Sequence, residues 1–161
     1  MRRAIYPGTF DPPHRGHIDL IRRGRALVDE LVVAVAVNRD KNALFTDAER
    51  VELLERCVAD DDGIRVIAFS GLVVNLLAQE KADFILRGIR TFSDFEAELA
   101  MAYTNRQLAG STDAETLFVL PRLEYSHFSS RRVKEVASFG GDVAHFVPDG
   151  IYEDIAARLS L

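Results

Sequence analysis

Five short runs rich in β-branched and other apolar residues set the strongest limit on how this chain can fold. They are "RRAIYP" (Arg2 to Pro7), "ELVVAVAV" (Glu30 to Val37), "IRVIAF" (Ile64 to Phe69), "ADFILRG" (Ala82 to Gly88) and "ETLFVLP" (Glu115 to Pro121). Several are apolar on successive residues rather than alternate ones, which is how strands covered on both faces of a parallel sheet read. Between the runs, apolar residues fall at helical spacing: Leu20, Ile21, Leu27 and Val28, then Val51, Leu54 and Val58, then Phe95, Leu99 and Ala102. Strand and helix therefore alternate along the chain. With right-handed crossovers, this gives an α/β fold: a Rossmann-like, doubly wound sheet of five mainly parallel strands with helices on both faces.

Helix ends are marked as well. "TDAE" sets Thr46 against Glu49 and "SDFE" sets Ser93 against Glu96, the spacing of a capping box. The helix after the opening turn is expected to run to about Asp29, "RRVKEVASFGG" to end a helix at Gly140, and "DGIYEDIAARLSL" to supply a last one. No repeat, low-complexity tract or linker divides the 161 residues, so one domain over 1–161 is expected. The single cysteine, Cys57, follows Leu54 by three on an apolar helix face and reads as a structural thiol; disulfides and cysteine zinc clusters are excluded. "MRR" leads into too few apolar residues for a signal peptide, and no run reaches the roughly 18 of a membrane span, so a soluble, cytoplasmic protein with no membrane partner is expected. A net charge of -5 argues against a nucleic-acid partner. Any anion site must be a local basic cluster.

In a doubly wound sheet, ligands sit at the carboxyl ends of the strands. The first such end leads into "YPGTFDPPHRGH", which holds three prolines, two glycines and the two histidines His14 and His17 in a dozen residues. This turn delivers His17 to a helix start, where amide N–H groups and the helix dipole favour an anion. Neither G-x-G-x-x-G nor G-x-x-x-x-G-K-[ST] is present, so side chains must hold the phosphates. Lys41 follows the second run, Arg87 and Arg90 flank Gly88 at the fourth, and "EYSHFSSRRVKE" brings Ser129, Ser130 and Arg131 to a helix start after the fifth. Each has a plainer reading. A lysine in a polar loop is usually just solvated, Arg87 could make a structural ion pair, Glu98 could be a polar helix residue, and Asp11 fits a turn better than a metal. Ser126 beside His127 has no G-x-S-x-G elbow and does not make a hydrolase triad, and no role falls to His145.

Taken together, "YPGTFDP", "HRGH", "LRGIRTFSDFEAE", "MAYTNRQLAG" and "SSRRVKEVASFGGDV" resemble the HxGH nucleotidyltransferases and, within them, the bacterial phosphopantetheine adenylyltransferases, along nearly the whole chain. The resemblance implies transfer of the adenylyl group of ATP to 4'-phosphopantetheine, giving dephospho-coenzyme A and pyrophosphate. It further implies Mg2+ carried mainly by the ATP phosphates with no dedicated protein metal site, a homohexamer, and coenzyme A as a candidate feedback ligand. On the same ground His17 stabilises the transition state. Thr9, Phe10, His17, Gly88, Ile89, Arg90, Glu98, Tyr125, Ser126, His127, Phe128, Ser129, Ser130 and Arg131 form the ATP site, and Thr9, Lys41, Val73 and Arg87 bind the acceptor. Arg131 stands where such proteins usually carry a third hydroxyl. His14 stands where they often carry threonine, and "GTFDPPHRGH" also fits nicotinate-mononucleotide adenylyltransferases, which remain the alternative. A catalytically silent nucleotide sensor is the other.

Overall fold

The computed structural model describes residues 1–37, 43–110 and 114–160. Five strands, β1 (Arg3–Gly8), β2 (Glu30–Ala36), β3 (Ile64–Phe69), β4 (Phe84–Gly88) and β5 (Glu115–Val119), alternate with α1 (Arg15–Arg25), α2 (Asp47–Val58), α3 (Val73–Glu80) and α4 (Phe92–Ala109). After β5 come a 3-10 turn (Leu123–Tyr125), α5 (Ser130–Ser138), a second 3-10 turn (Asp149–Ile151) and α6 (Tyr152–Leu159). The sheet order is β3-β2-β1-β4-β5 and each pairing is parallel. Gly8 pairs with Val35 and Gly88 with Val119, so the carboxyl ends of four strands finish side by side.

Both faces of the sheet are covered, as the unbroken apolar runs require. On one face Ala4, Tyr6, Leu31, Val33 and Val35 pack with Leu20 and Ile21 of α1 and Leu54 and Val58 of α2. On the other, Ile5, Val32, Ala34 and Ile85 pack with Val74, Leu76 and Leu77 of α3 and, at its end, Ala109 of α4. A third cluster joins Phe45 and Leu53 to Val133 and Ala137 of α5 and to Ile151 and Ile155. Cys57 is half-buried between the first and third clusters, and burial pushes its thiol up to about 11, which keeps it a packing group at neutral pH.

Three local expectations change. Helix α1 stops at Arg25 rather than near Asp29, because the amides of Asp29 and Glu30 already donate to Arg2 O and draw the chain into β2; Leu27 is left 52% exposed. Thr46 and Glu49 do form the reciprocal capping box of α2. At α4, by contrast, the cap is not Ser93 but Thr91, whose hydroxyl accepts the Asp94 amide at 3.1 Å and meets the Ser93 hydroxyl at 2.9 Å. Thr91 offers the same three-residue spacing two positions earlier, directly after the strand end. Finally, Phe95, Leu99 and Ala102 join none of the three buried clusters: Phe95 meets Phe118 of β5 edge-on at 5.9 Å, and Leu99 and Ala102 stay half-buried. Asn105 is the buried residue of α4, while Phe92, Met101, Tyr103 and Leu108 are each more than half exposed.

Arg50 of α2 has no exposed surface. Its Nη1 donates to Thr9 O and, at 3.2 Å, to Ala36 O, and its Nη2 donates to the Asp47 carboxylate. One buried guanidinium thus ties the helix to the ends of β1 and β2, although its Nε has no partner. Among the described residues no helix is long and apolar enough to cross a membrane.

Candidate active site

Beyond β1 the chain crosses towards β2, and beyond β4 it crosses towards β5, so the connections part between these neighbouring strands. A crevice at such a switch point is where an open parallel sheet binds ligands. A cavity of about 280 Å³ occupies it, walled by Pro7 to Phe10, by His14 and His17, and by Arg87, Gly88, Arg90 and Glu98 from the β4 side. Tyr125, Ser129 and Ser130 close the third wall.

The β1 wall is shaped by a tight turn. Phe10 has φ of 53°, a left-handed conformation that is costly for a bulky residue, and it folds the ring back under Gly8. A Cβ on Gly8 would come within 2.7 Å of that ring, so only glycine fits. The buried Phe10 ring then stands edge-on to Tyr6 at 5.4 Å and to His17 at 4.9 Å. The Asp11 carboxylate accepts the amides of Leu44 and Phe45 at 2.8 and 2.9 Å and pairs with Lys134 at 3.3 Å. It anchors the turn to the segment before α2 and to α5.

His14 is the N-cap of α1 and His17 its third residue, and each ring accepts the other's backbone amide through Nδ1 at 3.3 Å. The rings stack with centroids 3.6 Å apart. Burial, followed by the Arg90 charge, lowers His14 to about 3. For His17, burial, then His14, then Arg90 hold the ring well below the ordinary imidazole value. Both rings are therefore neutral at physiological pH. From about pH 6.5 down to about 3 the unfolded chain takes up a proton on His14 that the folded chain refuses, so stability falls as pH drops through that window. A urea-midpoint series on acidification should show this slope, reduced in His14→Thr; equal slopes would contradict a buried neutral ring.

On the β4 side, Arg87 grips Glu98 of α4 through Nε and Nη2, both at 2.5 Å, and donates Nη1 to Pro7 O at 2.9 Å. Burial works against its charge, but Glu98 more than offsets this and the guanidinium is held firmly protonated. Two residues expected on different ligands thus touch each other. Arg90 donates to Phe128 O at 2.5 Å and to Asp94 at 3.1 Å, which fastens the β4 end to the loop after β5. At the start of α5, Ser129 caps the helix by accepting the Arg132 amide, and Ser130 donates to Pro12 O at 2.8 Å.

Of the residues expected at the site, Thr9, Phe10, His17, Arg87, Gly88, Arg90, Glu98, Tyr125, Ser129 and Ser130 line the cavity. Ile89, Ser126, His127, Phe128, Arg131 and Val73 do not. Ile89 and Phe128 are buried, the latter among Tyr125, Phe146, His145 and His14, with its carbonyl taken by Arg90. The Ser126 hydroxyl bonds Leu123 O at 2.7 Å, and His127 and Arg131 are exposed. Val73 opens α3 and packs behind the sheet. Lys41 lies outside the described residues. Tyr6, Leu20 and Pro121 also line the cavity. Nothing in their local sequence distinguishes them from core and turn residues, whereas Gly8 and Gly16 are visible in "PGTF" and "HRGH".

Residues 5–136 match the cytidylyltransferase-like family. The chain is 44% identical over 160 residues to a phosphopantetheine adenylyltransferase of Clostridium perfringens, covering 99% of this chain and 96% of that one. Identity is 46% over 161 residues, all of both chains, with that of Clostridium beijerinckii, and 46% over 96% of this chain and 94% of the relative with that of Lachnoclostridium phytofermentans. Among solved structures, "The Crystal Structure of a Putative Nicotinate-nucleotide Adenylyltransferase from Vibrio parahaemolyticus" superposes with a TM-score of 0.71 over 96% of this chain and 99% of that one, at 16% identity, which speaks for the fold alone. A lipopolysaccharide core biosynthesis protein from Thermoplasma volcanium gives a TM-score of 0.55 at 26% identity, over 75% of this chain and 98% of that one. A parallel sheet whose switch point carries the HxGH turn, together with relatives this similar over their full length, means that the chain belongs to the cytidylyltransferase-like family and, within it, to the phosphopantetheine adenylyltransferases.

Proposed function

We propose that the crevice binds ATP and 4'-phosphopantetheine and transfers the adenylyl group, giving dephospho-coenzyme A and pyrophosphate. The observation that carries this reading is identity of 44 to 46% across essentially the whole chain to proteins bearing that activity as their name. An oxygen of the acceptor phosphate attacks the α-phosphorus of ATP, the bond from that phosphorus to the bridging oxygen breaks, and pyrophosphate leaves with the electron pair. A phosphate monoester, with a second pKa near 6, is mostly dianionic at neutral pH and needs no general base. The task left to the protein is bringing two anions together and stabilising the charge on the α-phosphate and the leaving pyrophosphate. A histidine at a helix start, a threonine lining the same cavity and arginines from the β4 side suit that task.

Magnesium would enter on the triphosphate. No group of three or more His, Cys, Asp or Glu among the described residues could cage an ion, and Asp11 and Glu98 are engaged by amides, Lys134 and Arg87. Magnesium keeps most of its waters and takes phosphate oxygens readily, so it would neutralise the triphosphate there.

On this reading the acceptor phosphate shares or displaces the grip of Glu98 on Arg87. Arg87→Lys should raise the KM for 4'-phosphopantetheine and move the ATP KM little, since a lysine cannot reproduce a planar fork. Equal rises for both substrates would assign Arg87 to the triphosphate. The activity itself is tested by pyrophosphate release from ATP with each acceptor. Turnover of nicotinate mononucleotide with silence toward 4'-phosphopantetheine would change the acceptor, and ATP binding with silence toward both would make the protein a sensor.

Phe92, Met101, Tyr103 and Leu108, all more than half exposed on one helix, support self-association, since large exposed apolar surface usually marks an interface. A homohexamer is the assembly we infer. Analytical ultracentrifugation should show it, and Met101→Lys should shift the protein to smaller species; a monomer in the parent would overturn the inference.

A further inference from the structure

The two motif histidines build one capping box between them. Such a box ordinarily pairs a hydroxyl with a carboxyl or amide side chain. An imidazole nitrogen is more demanding, because it accepts a hydrogen bond only while it carries no proton, and the neutral ring then holds its proton on the other nitrogen. Here Nδ1 of His14 accepts the His17 amide and Nδ1 of His17 accepts the His14 amide, both at 3.3 Å. Two backbone donors therefore select the Nε2–H form of both rings. Protonating either Nδ1 would set two donors against each other and open the start of α1.

We propose that His14 is a positioning residue which, by capping the His17 amide and stacking on its ring at 3.6 Å, holds His17 as the neutral Nε2–H tautomer, an uncharged hydrogen-bond donor in the wall of the crevice.

The surroundings agree from every side. Phe10 stands edge-on to His17 at 4.9 Å and Phe128 edge-on to His14 at 6.4 Å, so the flanks are apolar. The Arg90 charge acts on both rings and opposes a second positive charge in either. Tyr6, from β1, is kept neutral because burial pushes its hydroxyl up, and Glu98, the carboxylate in the cavity wall, is held by Arg87. Gly16 matters for the same reason: a Cβ there would press to 3.0 Å against the His14 ring. In the common catalytic arrangement a carboxylate accepts a hydrogen bond from Nδ1–H, which keeps the proton there and leaves Nε2 free as a base. The arrangement here is the inverse, with Nδ1 as acceptor and Nε2 as donor. His17 cannot then act as a base through Nε2, which fits an acceptor that arrives already ionised. The inference deepens the proposed adenylyl transfer and rests on it for its chemical purpose, but not for the tautomer.

The experiment is a long-range proton–nitrogen correlation spectrum of the ligand-free full chain labelled on histidine nitrogen. Both rings should give the single Nε2–H pattern, unchanged on lowering the pH through the ordinary imidazole range. An Nδ1–H ring, a tautomer average, or titration near pH 6.5 would overturn the proposal. His14→Ala, which removes cap and stack, should bring the His17 signals towards an average and lower kcat by roughly 10- to 100-fold, the scale expected when a reacting group loses its placement. His14→Thr keeps an oxygen cap and should recover part of both. Unchanged His17 signals in His14→Ala would sink the positioning role, and should that variant fail to fold, the parent spectrum and His14→Thr decide. A parent spectrum as expected, in a protein that adenylylates no acceptor, would instead remove the proposed function and leave the tautomer lock standing.

Discussion

Replacing His17 with alanine is expected to lower kcat by about 100- to 1000-fold, the loss typical for one donor to charge that develops in the transition state. ATP affinity should change by less than about tenfold, because an interaction made mainly in the transition state contributes little to binding the ground state. The change also removes one acceptor of the α1 capping box, which should cost about 1 kcal/mol of stability. Thermal unfolding measured beside the kinetics separates these effects. A variant that melts slightly early yet turns over at the parent rate would remove His17 from the chemistry.

Arg50→Ala is expected to cost about 3 kcal/mol, in the range for breaking a buried, hydrogen-bonded ion pair. Arg50 is fully buried, and its loss strands the carbonyls of Thr9 and Ala36 while leaving a cavity beneath the strand ends. Asp47 remains partly solvated, which keeps the loss from being larger. At roughly 2–4 °C per kcal/mol for a chain of this size, the melting temperature should fall by about 6–12 °C. Arg50→Met, which restores volume without the donors, should recover only part of this loss. Since Arg50 holds the carbonyl of Thr9, kcat/KM should fall in both variants even well below their melting points. A loss under about 1 kcal/mol would show that the guanidinium merely fills space.

The sheet was legible because burial on both faces leaves a mark that does not depend on distant partners: β3 runs over Ile64–Phe69 as its apolar run does, and all five strands appear in order. The capping box at Thr46 was legible for the same reason, since its hydrogen bonds span three residues. Where two caps compete, as Thr91 and Ser93 do, spacing alone does not choose between them. The apolar pattern of α4 was misleading in a different way. Periodicity marks a face that is to be covered, and it carries no information on whether the cover comes from the same chain.

For the site, the residue types and the strand ends that bear them can be read along the chain: a histidine turn after β1, arginines about Gly88, and serines at the start of α5. Those follow from local rules, because strand ends, turns and caps are set by neighbours in the chain. Which of these groups face one cavity and which face each other is set by how the strands and helices pack. Arg87 closes on Glu98, Arg90 reaches the carbonyl of Phe128, and the Phe128 ring turns inward although it sits between cavity-lining residues. Arg50 gave no local sign of its position beneath Thr9. Such pairings depend on contacts between residues 11 to 41 positions apart, brought together by the order in which parallel strands lie in the sheet. That order arises when the whole apolar surface is buried at once, and no short stretch of sequence contains it.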